Sequence, residues 1–209
     1  AKGRRLAILV NEFGDIGFDK SFLAACGVEG CTEDAIVELP NGCICCTVAD
    51  DFVPALETLL GRAEPPEHIL IETSGLALPK PLVQAFQWPA IRSRVTVDGV
   101  VAVVDGPAVA SGAFAEDPEA LAAQRAADQS VDHDNPLEEV FEDQLLCADL
   151  VVVNKADLID AATRARVRAE VEGHLPRAVK VVETENGAID PQVLLGLDAA
   201  AEDDLDARP

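Results

Sequence analysis

Three cysteines fall within four positions of the stretch ELPNGCICCTVADDF, residues 38–52: Cys43, Cys45 and Cys46. Three thiolates, or two with an outside carboxylate, suit a tetrahedral site for zinc, cobalt(II) or copper(I), whereas magnesium and calcium take oxygen donors. Fewer than four sulfurs leave one coordination position open, which favours exchange over permanent structure. In an extended segment Cys43 and Cys45 point one way and Cys46 the other, so the three converge only where the chain bends. Asn41-Gly42, or the Cys45-Cys46 step itself, supplies such a bend. Two other readings compete. A disulfide between Cys45 and Cys46 would force unusual backbone geometry, and a redox thiol needs a basic neighbour or a helix start that the acidic surroundings do not offer. Cys26, Cys31 and Cys147 are scattered and read as small buried or loop residues.

A second constellation is Asn154-Lys155-Ala156-Asp157, which follows the apolar run DLVVV. At a strand end, an N-K-x-D carboxylate can accept two hydrogen bonds from the N1 and N2 edge of guanine, a pair that adenine lacks. In that scheme Asp157 selects the base, Asn154 braces the loop and contacts the base, and the Lys155 stem lies along the ring. The bland alternative is a strand-to-helix loop with an Asp cap. A third is Glu72-Thr73-Ser74-Gly75 after HILI. An acid in that place orients a magnesium-bound water beside phosphates, and Gly75 lets the backbone approach a terminal phosphate. Here too an ordinary turn is the alternative.

These residues need a scaffold that brings strand ends together. Five runs, residues 5–10, 68–72, 95–105, 149–154 and 178–182, are short, rich in Val and Ile and nearly continuous in apolar character, as strands buried on both faces are. Helical patterns lie between them. Phe52, Leu56, Leu59 and Leu60 recur at helical spacing behind Asp50 and Asp51, a helix should run from Asp160 to between Gly173 and Pro176, and Asp190-Pro191 reads as a cap and first turn. The segment from about 106 to 140 reads as helical with a polar loop around HDNP. Alternating strands and helices give an α/β fold with a mostly parallel sheet flanked by helices, whose ligands sit beyond the carboxyl ends of the strands.

The charge balance narrows the partners. Sixteen basic residues against 38 acidic ones give a net charge of −22, which repels nucleic acid and anionic membranes and draws small cations. No apolar run is long enough to span a bilayer and no secretory signal pattern is visible, so a cytoplasmic location is expected. A reducing cytosol keeps close-set thiols free for metal.

NEFGDIGFD, ELPNGCICCTVADDF, IETSGLALP and VNKADL, in this order and spacing, resemble the CobW-type GTPases, metal-handling relatives of the nickel-insertion GTPases. HDNPLEEVFEDQL and ETENGAID resemble the cobalamin-biosynthesis branch of that family. The resemblance runs from about Arg4 to Leu197. It implies a P-loop NTPase core of the SIMIBI type and a GTP-dependent metallochaperone, with magnesium and GTP as cofactors and Co(II) or Zn(II) as cargo. Cys43, Cys45 and Cys46 match the family's metal ligands. Asp15 takes the last place of the NEFGE stretch, whose carboxylate also approaches the metal, with Asp for the usual Glu. Some relatives carry a Glu before Asn11, where this chain has Val10. Glu72 falls on the Walker B acid of GTP hydrolysis, and Asn154, Lys155 and Asp157 fall on the guanine contacts. The implied partner is a metal-accepting protein such as a cobaltochelatase.

The resemblance departs in two places. The family's G-x-x-G-x-G-K-T-T loop lies just before the run at residues 5–10, and no such sequence occurs in this chain, so a GTPase domain without its first strand, P-loop and helix is expected over 1–197, poorly active by itself. Residues 198–209 read as a frayed helix running into a linker toward a further domain.

Overall fold

The apolar runs become parallel strands. The computed structural model describes residues 5–10, 36–38, 52–73, 75–113, 123, 137–176 and 178–208. They fall into two units, one ending at Ala77 and the other beginning at Leu78.

In the first unit β1 (Leu6–Val10) lies between β2 (Ile36–Glu38) and β3 (His68–Glu72), with Ile8 opposite both Ile36 and Leu70. Ala7 and Leu9 are fully buried, as a central strand requires. Parallel neighbours need crossover connections, and one of these contains α1 (Val53–Leu60). Phe52, Leu56 and Leu59 have no exposed surface, so the spacing legible in the sequence is the buried face of this helix. Its cap differs from expectation: Phe52 stands at the N-cap with no side-chain bond, Pro54 sits in the first turn, and Asp50 and Asp51 lie outside the described residues. At the opposite end of the strands Arg5 and Glu67 tie β1 to β3. The Arg5 amide donates to the Glu67 carboxylate at 2.9 Å, and the Glu67 amide returns a bond to the Arg5 carbonyl at 2.8 Å.

The second unit is built on β4 (Val101–Asp105), β5 (Leu150–Asn154) and β6 (Lys180–Glu183), all parallel, with β5 in the middle. Leu150 to Val153 are all buried, which explains the unbroken aliphatic run. On one face Val104, Val151, Val153 and Val181 share a core with Val109, Phe141, Leu145, Val167 and Val171. Those residues come from the helices of this unit: α3 (Gly106–Ala110), α4 (Leu137–Cys147) and α5 (Ala161–His174). Two further helices, α2 (Pro79–Ala85) and α6 (Pro191–Leu194), begin with proline in the first turn, where its missing N–H costs nothing. Within the stretch expected to be helical around 106–140, α3 and the start of α4 are described. Cys147 is buried, as a small core residue.

Two sequence expectations change here. Only 101–105 of the apolar run 95–105 joins the sheet. The preceding residues bond instead to the end of the chain: the Ala199 amide donates to the Asp98 carbonyl at 2.9 Å, and the Ala201 amide to the Val97 carbonyl at 3.2 Å. The Asp98 carboxylate accepts from the Gly196 and Asp198 amides at 2.7 and 3.0 Å. Leu197 lies where a Cβ on Gly99 would stand, with its Cδ1 only 2.6 Å from that point. Residues 198–208 are therefore not a frayed helix but two docked 3-10 turns, Ala201–Asp203 and Leu205–Ala207. The segment closes on Arg208, whose side chain is 1% exposed. Its guanidinium donates to both oxygens of Asp149, at 2.8 and 3.0 Å, and to the Cys147 carbonyl. Burial alone would lower the Arg208 pKa, but the hydrogen bonds and charge of Asp149 outweigh it and hold the guanidinium above its ordinary value.

Two aliphatic side chains in mid-strand remain open, Leu70 on β3 at 54% and Val103 on β4 at 70% exposure. No helix among the described residues is long and apolar enough to cross a membrane.

Candidate functional site

The carboxyl ends of β4, β5 and β6 meet at the N-K-A-D loop. Asn154 is the last residue of β5, and Lys155 turns the chain with left-handed φ 57° and ψ 32°. Ala156–Leu158 form a 3-10 turn that carries Asp157 into an exposed position. Asp160 then caps α5, accepting from the Thr163 amide at 2.9 Å and its hydroxyl at 3.1 Å. Those bonds lower the Asp160 pKa. A buried strand, a strained turn and a capped helix thus hold Asp157 from both sides.

Cross-bonds from β6 fix the loop further. The Thr184 amide donates to the Val153 carbonyl at 2.9 Å, and the Thr184 carbonyl accepts from the Ala156 amide at 3.1 Å, so the ladder continues one residue past the strands. The Asn154 Oδ1 accepts from the Gly187 amide at 3.0 Å. Asn186 and Gly187 both take positive φ, 51° and 66°, which suits an Asn-Gly turn. The Thr184 hydroxyl closes this turn on the Ala188 carbonyl at 2.7 Å. Asn154 therefore spends its oxygen on bracing the neighbouring loop.

On the other side stands β4. Asp105 Oδ2 meets Lys155 Nζ at 2.7 Å, while Asp105 Oδ1 accepts from the Ala108 amide at 2.9 Å and caps α3. Gly106 packs closely here, since a Cβ would lie 3.0 Å from the Asn154 carbonyl oxygen and 3.3 Å from a Val153 methyl. Asp105, Thr184 and Gly187 are the residues that sequence reasoning left without a role. The signals were present, since Asp105-Gly106 ends a strand and Asn186-Gly187 marks a turn, but only folding reveals what each one touches.

The structure thus brings Asn154, Lys155 and Asp157 into one loop. Glu72 and Gly75 lie in the first unit, both exposed, at and just beyond the carboxyl end of β3. A Cβ at Gly75 would meet nothing within 4 Å. Asp15, Cys43, Cys45 and Cys46 lie outside the described residues. Among the described residues there is no cluster of three or more His, Cys, Asp or Glu fit to hold a metal ion.

Residues 1–183 match the CobW/HypB/UreG nucleotide-binding domain. The full chain is 55% identical to a protein of Sinorhizobium named zinc chaperone CobW, covering 59% of it. It is likewise 55% identical to the zinc chaperone CobW of Pseudomonas aeruginosa, covering 56% of that protein. The chain thus spans less than three fifths of the curated relatives' length. Among solved structures, the Zn(II)-bound YjiA GTPase of Escherichia coli is similar with a TM-score of 0.53 and 17% identity, over 93% of this chain and 62% of that one. At such identity the likeness concerns fold alone, and it agrees with the parallel, helix-flanked sheets described above. The chain belongs to the CobW/HypB/UreG family and has the α/β fold of its P-loop GTPases.

Proposed function

We propose that the chain is the nucleotide-reading portion of a GTP-dependent metallochaperone that carries zinc in the cytoplasm and hands it to an acceptor protein. The observation that carries this reading is the N-K-A-D loop, locked by β4 and β6 with the Asp157 carboxylate left exposed. Asp157 accepts from N1–H and the N2 amine of guanine, Asn154 contacts the base, and the Lys155 stem lies along the ring. Two hydrogen bonds to one carboxylate suffice to reject adenine by a large factor, because the wrong base leaves the acid unpaired.

Glu72 supplies an oxygen donor of the kind magnesium takes through water, and Gly75, having no side chain, lets the backbone approach a terminal phosphate. Magnesium, when bound, neutralises charge on the transferring phosphoryl group. Cys43, Cys45 and Cys46, with Asp15, make a sulfur-rich donor set of the kind zinc accepts. GTP strengthens that grip and its hydrolysis loosens it, and the coupling is reciprocal, so zinc tightens GTP binding by the same factor. The naming of two relatives at 55% identity as zinc chaperones supports zinc over cobalt as cargo. Cobalt(II), with a cobaltochelatase as acceptor, is the competing assignment.

The test uses the protein at its natural length. Zn(II) and Co(II) are titrated in the presence of a non-hydrolysable GTP analogue and then of GDP. Tighter zinc binding with the analogue, lost when Cys43, Cys45 and Cys46 are changed to serine, is expected. Equal zinc affinity in both nucleotide states would leave only a static metal-binding module, and stronger coupling for cobalt would reverse the cargo.

A further inference from the structure

We propose that Asp105 is a positioning residue for guanine recognition, holding Lys155 so that the lysine stem forms a fixed wall for the base. This rests on the guanine-site reading and adds to it a residue from a different strand.

The geometry divides the labour of one carboxylate. Oδ1 caps α3 through the Ala108 amide and Oδ2 takes the Lys155 ammonium at 2.7 Å. Each oxygen is directional, so the cap fixes the carboxylate and the carboxylate fixes the ammonium. Lys155 is also committed at its backbone, since φ 57° sets where the stem leaves the loop. With both ends of the stem defined, the rotamers of a long flexible side chain are limited before any nucleotide arrives. Free lysine would lose that freedom on binding. The register places Asp105 directly opposite Asn154, and Gly106 lets α3 start against the Asn154 carbonyl, so the distance between ammonium and carboxylate is set by sheet pairing. At 33% and 20% side-chain exposure the pair is half-buried, and both of its ends are fixed. Its value is orientation.

Asparagine at 105 separates the two duties, because Asn caps a helix about as well as Asp but cannot neutralise an ammonium. In the natural-length protein, Asp105→Asn is expected to leave the thermal midpoint nearly unchanged. It should weaken binding of fluorescent GDP and GTP analogues alike by about five- to tenfold, the scale of one immobilised side chain. Lys155→Met keeps the stem and removes the charge. The double variant should then bind no more weakly than Lys155→Met alone, because the two residues act as one unit. Wild-type affinity in Asp105→Asn would overturn the proposal, and so would additive losses in the double variant. Should the midpoint fall in Asp105→Asn, the double-variant comparison still decides. A wild-type protein with no preference for guanine over adenine nucleotides would instead defeat the guanine-site reading, and this proposal with it.

Discussion

Asp157 and Gly106 show how differently single residues can be read. Asp157 is legible in the sequence because its motif is contiguous and its strand precedes it. In the natural-length protein, Asp157→Asn should lower GTP affinity about a hundredfold, the scale of two hydrogen bonds to a charged acceptor. It should also admit the xanthine nucleotide, whose C2 carbonyl matches an amide N–H. Competition of XTP against labelled GDP checks this. Gly106 announces nothing in the sequence beyond a strand end. Its tight fit appears only with Asn154 folded against it, 3.0 Å from where a methyl would be. Gly106→Ala should cost about 1–2 kcal/mol by urea unfolding and displace the N-K-A-D loop, with weaker GDP binding. The Asp105 to Lys155 pair was illegible for the same reason, because one partner ends β4 and the other lies in the loop after β5.

Helices and strands divide by how local their causes are. β1, β3, β5 and β6 follow from aliphatic runs, and α5 from its cap at Asp160 and its buried Val167 and Val171. β2 was missed because three residues are too few to make a pattern. The run at 95–105 was overextended because apolar content does not say which backbone partners exist, and Val97 and Asp98 turned out to serve the chain's end. For α5 a pH dependence follows. The Asp160 pKa is lowered by its bonds to Thr163, so its contribution is complete above the ordinary carboxylate value of 3.8 and disappears as pH falls through the lowered folded value. Amide exchange at Thr163 near neutral pH should accelerate in Asp160→Ala and stay close to wild type in Asp160→Asn, which retains a cap acceptor.

For the whole molecule, the parallel α/β class was readable from alternation alone, while the division into two units and the docking of residues 196–208 were not. Arg208 is the clearest instance, a charged residue near the end of an acidic stretch that is 1% exposed in the fold. Arg208→Met would leave the partly buried Asp149 without its counter-ion, and a loss of about 3 kcal/mol in denaturant unfolding is expected, with earlier proteolysis after Leu195. The Asp149→Asn, Arg208→Met pair should recover part of that loss. A net charge of −22 acts on the same scale. Like charge keeps two molecules apart, and added salt or mild acid removes that guard. The colloidal behaviour of the chain is therefore governed by long-range repulsion, with clarity of solution tracking ionic strength more closely than it tracks folding.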